Sequence, residues 1–294
     1  MYLIKNYLRF IYHSPRHAIL HVLFLITIGF LVLETQHENT LHYNIIRVLR
    51  QETRGQHDTV YIRKLMTTIN TMMYNRYYIF KGTERLSWKN NLFHSVDADI
   101  MYGAGACGGF SKVLARALSL SGYKVRIGQM KVMGKYGGHI IVEVMLPTTG
   151  TWAVIDPLYL LTFTNPKTGY WAGFEEVKAN WQLYQRQINI PYNHAYAYED
   201  VRYTNWQKVP VLGGFAYKTL SLLIGPNNAA TFSARVWMLN KYYLYLIVTL
   251  LLYAAYHIYT FRRYAKKRTQ NKKNETLQVA AVAAFLSPFL AVYF

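Results

Sequence analysis

A single cysteine, Cys107, in 294 residues excludes an intramolecular disulfide framework and any zinc site built from thiolates. Charge is scarce as well. Asp, Glu, Lys and Arg make up 16% of the chain, against about a quarter in ordinary soluble domains. Acidic residues are the rarer sign, 14 against 33 Lys and Arg. The chain has no internal repeat and no low-complexity tract, which sets aside solenoids and compositional tails. What is abundant is apolar surface: 52% of residues are hydrophobic, and 27 of these are tyrosines. Such a chain is neither disordered nor a plain cytosolic globule.

The net charge of +19 suggests a nucleic-acid ligand until its distribution is considered. Lys5, Arg9 and Arg16 precede one apolar run, and Arg262, Arg263, Lys266, Lys267, Arg268, Lys272 and Lys273 crowd the stretch after another. Between them, residues 34–240 carry 22 basic and 13 acidic residues, a mild surplus. Nucleic-acid binding is therefore not expected. Residues 18–33, AILHVLFLITIGFLVL, bear no formal charge and predict an uncleaved transmembrane anchor, because no small-x-small cleavage site follows them. Residues 242–261, YYLYLIVTLLLYAAYHIYTF, are twenty uncharged positions with tyrosines towards both ends and RRYAKKR directly behind, the pattern of a transmembrane helix with a cytoplasmic stop. The positive-inside rule then puts residues 1–17 and the basic segment 262–276 in the cytoplasm, and residues 34–240 in an extracytoplasmic or periplasmic space. The apolar tail 277–294 fits a third span or an interfacial hairpin.

Within the middle region, residues 41–80 predict helix, with Ile45, Ile46, Val48, Leu49, Ile62, Leu65, Met66, Ile69 and Met73 spaced by threes and fours. Residues 124–133, 139–146 and 151–155 are short and β-branched, separated by GKYGG and PTTG turns. Helices followed by antiparallel strands make an α+β domain.

Residues 103–108, GAGACG, match GxGxxG, but a dinucleotide site needs an acidic residue about 20 positions on, and YKVRIGQMK has none. The same stretch starts a helix. Val113, Leu114, Ala117 and Leu118 share a face, and Gly122 stops it. Cys107 thus falls at a helix N-terminus, where unpaired amides and the macrodipole favour a thiolate. A small, packed cysteine is the competing reading. His139 opens the strand HIIVEVML and Asp156 closes TWAVID. A hairpin centred near Thr149 places Asp156 opposite Val142 or Glu143, close to the His139 end of the neighbouring strand. Asp156 can then orient the imidazole while its other nitrogen faces the thiol, giving nucleophile, base and carboxylate.

The blocks GACGGFSKVLARALSLSGYKVRIG, GGHIIVEV and WAVIDPLY, in that order over about residues 100–160, closely resemble the core of the transglutaminase-like superfamily, papain-like enzymes with a Cys, His, Asp triad. The likeness includes the G-x-x-x-R strand, Gly122 to Arg126. It departs after the histidine, where the family usually has alanine or an aromatic and this chain has Ile140 and Ile141. The resemblance implies a papain-like core between the membrane segments, with Cys107 as nucleophile, His139 as general base and acid, and Asp156 as orienter. It implies a thiol enzyme acting on amide bonds through an acyl-enzyme, either a cysteine peptidase or amidase, hence a hydrolase, or an acyltransferase. Protein or peptide substrates, glycan-linked ones included, the lipid bilayer and other components of an envelope complex are the expected partners, with no cofactor and no metal. A non-catalytic scaffold subunit of a cell-envelope polysaccharide or protein-export assembly is the alternative. Intact Cys107, His139 and Asp156 speak against it.

Weaker signals have plain readings. His13, His17 and His21 stand at i, i+4 and i+8, but Pro15 interrupts the face and interfacial histidines are expected rather than metal or haem ligands. Asp97 and Asp99 form a DxD that suits a loop or a cap. Trp88 is a weak candidate for the oxyanion-holding tryptophan of the family, and the Cys107 amide is the better donor. The aromatics Tyr159, Tyr170, Trp171, Trp181, Tyr184, Tyr192, Tyr196, Tyr198, Tyr203 and Trp206 form either a binding platform or core.

Overall fold

The computed structural model describes residues 15–80, 96, 99–100, 103, 106–193, 195–206 and 212–269. Trp88, Asp97, His13, Lys5, Arg9 and the tail 277–294 lie outside these residues. The chain divides into two compact units, one containing residues 15–36 and 241–269, the other residues 37–240.

Helix α1 (Pro15–Glu52) contributes to both units, and α2 (Asp58–Phe80) follows a short turn. The helical spacing read from the sequence resolves into a core. Leu49, Ile62, Leu65, Met66, Ile69 and Met73 are buried together, whereas Val48 is exposed. Helix α3 (Cys107–Leu120) lays Val113, Leu114, Ala117 and Leu118 on this core. It stops where expected. Gly122 takes φ +88, a left-handed cap open to glycine, and the N–H of Tyr123 donates to the Leu118 carbonyl.

The sheet has five antiparallel strands: β1 (Val125–Val132), β2 (Lys135–Met145), β3 (Trp152–Asp156), β4 (Leu161–Thr162) and β5 (Val201–Arg202), in the spatial order β4-β3-β2-β1-β5. Residues 134–138, expected as a turn, mostly belong to β2. Met133 and Gly134 both take positive φ and close the hairpin in two residues, so the chain returns to pairing at Val132↔Lys135. A register shift beyond Lys131↔Tyr136 restores the pairing at Met130↔His139. Helices α4 (Phe174–Ala179) and α5 (Trp181–Gln185) lie between β4 and β5 in the chain, and α6 (Leu212–Ile224), α7 (Pro226–Ala230) and α8 (Ala234–Met238) follow β5. The fold of this unit is α+β, with two cores. One, shared by α2, α3 and residues such as Val142 and Ile155, covers one sheet face. The other, around Ile141, Val154, Phe163, Tyr184 and Tyr198, covers the opposite face. Between Arg126 on β1 and its register partner Glu143 on β2 lies a largely buried ion pair of 2.7 Å, with the guanidinium over the rings of Trp152 and Tyr203.

Helix α9 (Lys241–Thr269) completes the first unit. The stretches Pro15–Glu52 and Lys241–Arg263 are each long and apolar enough to cross a membrane. Leu31 packs on Tyr242 and Leu246. His17 Nδ1 pairs with the Tyr256 hydroxyl at 2.6 Å and His21 Nδ1 with that of Tyr253 at 2.7 Å. These histidines bond helix to helix, as polar groups in an apolar pair must. No cluster able to hold a metal occurs among the described residues.

Candidate active site

Strand β2 outruns β3. Their pairing extends from Met145↔Trp152 to Val142↔Ile155, and residue 157 is a proline, with no N–H to offer. Ile140 instead presents its backbone to helix α3. The Ser111 hydroxyl donates to the Ile140 carbonyl at 2.9 Å, and the Ile140 N–H stabilises the Cys107 sulfur as an anion. Cys107 and Ser111 are four residues apart on one helix face. The free backbone of one strand residue therefore holds the helix start, and with it the thiol, against β2.

His139 stands one residue earlier. Its Nε2 lies 2.6 Å from Asp156 Oδ2, both side chains fully buried. The register that brings them together differs from the expected one. The ladder closes at Leu146 and Thr151, so the loop is centred between Thr148 and Thr149, and extending the pairing places Asp156 opposite Ile141 rather than Val142 or Glu143. That one-residue difference matters. Opposite Val142, Asp156 would point to the sheet face away from His139; opposite Ile141, the two are diagonal neighbours on one face. Asp156 is itself held. Its Oδ1 accepts the N–H groups of Leu158 (3.1 Å) and Tyr159 (3.3 Å), and Asn70 on α2 donates to the carbonyls of Pro157 (2.8 Å) and Leu158 (3.1 Å).

The second imidazole nitrogen, Nδ1, is buried and has no fully formed hydrogen bond among the described residues. Its ring interacts with the Cys107 thiol, a looser approach that still couples the two charges. Burial alone would lower the pKa of His139. The Asp156 hydrogen bond, the Cys107 thiol and the attraction of both charges outweigh it and push the imidazole up to about 9. For Cys107 burial acts upward, and His139 together with the Ile140 N–H brings the thiol below its ordinary value. Each partner favours the charged form of the other.

Tyrosines that sequence left unassigned enclose the imidazole. Tyr196 stacks on His139 at 4.3 Å and 10°, and Tyr159 and Tyr192 close two further sides. The Tyr192 hydroxyl donates to Asp156 Oδ2 at 3.4 Å, and burial, with the nearby acidic groups, keeps that phenol protonated. Excluding water strengthens the His139–Asp156 bond. Cys107, by contrast, is only half-buried. The remaining aromatics sort by burial: Trp171, Tyr184, Tyr198 and Tyr203 are core, and Tyr170 is exposed. Asp99 is buried within reach of Lys112, at 3.9 Å. A shallow pocket at the β2–β3 turn, between Thr149, Trp152, Tyr170 and Glu176, shares no residue with the Cys107 cluster.

Ser111 was not singled out from the sequence, although its place one helical turn from Cys107 is a signal that points to it. Tyr196, Tyr192 and Asn70 were not, because only tertiary contact relates them to the triad. No family model matches the chain, no curated protein matches it and no solved structure matches it.

Proposed function

We propose that the protein is a membrane-anchored thiol enzyme of transglutaminase-like, papain-like type, acting on amide bonds through an acyl-enzyme on Cys107. The observation that carries this reading is the 2.6 Å bond between buried His139 and Asp156, beside a half-buried thiol at a helix start. A packing cysteine has no use for an oriented imidazole with a raised pKa.

The chemistry follows from the placement. The Cys107 thiolate attacks the amide carbonyl carbon, and the C=O π pair moves to oxygen. The N–H of Cys107, in the first helical turn where amides have no acceptor within the helix, faces that developing charge. The His139 imidazolium gives its proton to the amide nitrogen, the C–N bond breaks and the amine leaves with a thioester behind. His139, now neutral, takes a proton from water or from a second amine as that nucleophile attacks the thioester. The tetrahedral centre collapses, the C–S bond breaks and the thiolate–imidazolium pair returns. Water gives hydrolysis and an amine gives acyl transfer. The basic flanks of α1 and α9 support an extracytoplasmic position for the residues between them.

A fluorescent thiol-directed electrophile under reducing conditions tests the reading. Native wild-type protein is expected to label at Cys107 faster than the unfolded chain, and His139→Ala to lose that advantage. Labelling of the unfolded sample alone would remove the catalytic claim.

A further inference from the structure

Resting on that reading, the geometry points to a carboxylate-binding subsite formed by Arg202 and Arg235, so that the substrate carries a free peptide carboxylate within one or two residues of the amide that Cys107 attacks. The register places it. Gln129 on β1 is opposite both Ile140 on β2 and Arg202 on β5, and residues opposite one another in antiparallel strands share a face. Arg202, Gln129 and Ile140 thus form one row across three strands, on the face where Ile140 meets helix α3 beside Cys107. Adjacent strands are about 4.8 Å apart, so the Arg202 backbone lies about 10 Å from that of Ile140, roughly three residues of extended peptide before its own side chain reaches inward. Arg235, on α8, comes to the same glutamine and lies close enough to Cys107 to feel its charge.

Among the described residues, no carboxylate pairs with either guanidinium: Asp200 is engaged by Tyr136 and Lys178, and Glu143 by Arg126 and Tyr203. Their shared neighbour is the Gln129 amide, which has one oxygen. In one orientation that oxygen accepts from Arg202 Nη2 at 3.4 Å; turned over, it accepts from Arg235 Nε at 2.9 Å and Nη2 at 3.3 Å. The single oxygen thus serves Arg202 or Arg235, not both at once. Arg202 Nε is buried and unpaired among the described residues, and its guanidinium rests on the Tyr136 ring, 4.7 Å from its centroid. Two forked donors, mutually repelling and short of acceptors, are built to receive a carboxylate in bidentate fashion. The Cys107 thiolate, already held by His139 and Ile140, does not fill that role.

The test compares two alkylating reagents that differ only in charge, N-iodoacetylglycine and N-iodoacetylglycinamide. The same thiolate attacks the CH2–I carbon of both and displaces iodide, so changes in its ionisation cancel in the ratio of their rates. The acid-to-amide ratio for the native full-length protein is expected to exceed that for the unfolded chain by about tenfold, the worth of one charge-assisted hydrogen bond. It should collapse towards the unfolded ratio in Arg202→Gln and Arg235→Gln. In unsubstituted protein, N-acetylglycine should protect Cys107 from the neutral reagent while N-acetylglycinamide does not. Equal native and unfolded ratios, a preference that survives in both variants, or no protection by the acid would overturn the subsite and leave the thiol enzyme standing. A neutral reagent that reacts no faster with native than with unfolded protein removes the enzyme reading, and this inference with it.

Discussion

Asp156 serves two masters with two oxygens. Oδ1 is tied down by the N–H groups of Leu158 and Tyr159, and Oδ2 faces His139 and Tyr192. A carboxylate fixed on one side cannot rotate away from the imidazole on the other. Asp156→Asn, nearly identical in shape, is expected to bring the His139 pKa down from about 9, because the negative charge that holds the proton is gone. Nitrogen NMR of the imidazole would follow that shift, and turnover should fall by about three to four orders of magnitude. His139→Ala acts on the thiol in the opposite sense. With its partner removed, burial is the largest influence left, and it raises the Cys107 value. The midpoint of iodoacetamide alkylation against pH should therefore move up from below the ordinary thiol range. An unchanged midpoint would mean that the imidazole does not ionise the thiol. The three residues of the cluster were legible because each sits at the end of a segment with its own pattern: a helix start, a strand start and a strand end. Tyr196, Arg202 and Arg235 were not. They lie in irregular or very short elements, and a ring stacked on an imidazole leaves no periodic trace in sequence.

At the scale of elements, the register of β2 on β3 decides whether His139 and Asp156 meet. Alternation of apolar residues located both strands but left the loop centre ambiguous, and a half-residue difference there exchanges the faces. The hydrogen bond from Leu146 to Thr151 resolves it. The same limit explains residues 134–138, where a glycine-rich string looked like a turn and only Met133 and Gly134 turn. Two substitutions test how these elements are held. Gly122→Ala meets open space but must adopt φ +88, and should cost about 1–2 kcal/mol, read by urea unfolding. Glu143→Ala should cost more, about 3–5 kcal/mol, because it leaves the largely buried Arg126 without its carboxylate. Glu143 also accepts the Phe174 N–H at 3.0 Å and the Tyr203 hydroxyl, joining the start of α4 and the residue after β5 to β2. If thermal melting shows no loss for Glu143→Ala, that network does not hold the sheet.

For the whole molecule, the net charge that first suggested a polyanion ligand separates into basic flanks and a mildly basic middle. The α+β class and the two long apolar helices were readable from composition and spacing, since both are properties of long segments. The single cysteine makes the proposed topology simple to test. In a Cys107→Ser background, Thr149→Cys places one thiol on the exposed β2–β3 turn. A membrane-impermeant maleimide should label it in intact cells, and labelling only after permeabilisation would reverse the orientation. The central claim, that Cys107 forms an acyl-enzyme, is tested most directly by incubating the full-length protein with native envelope extract, quenching in acid and reading the Cys107 peptide by mass spectrometry. An acyl adduct on Cys107 is expected, released by hydroxylamine as a thioester is, and absent in His139→Ala. Recovery of the unmodified Cys107 peptide from wild-type protein, at the same level as from His139→Ala, would contradict it.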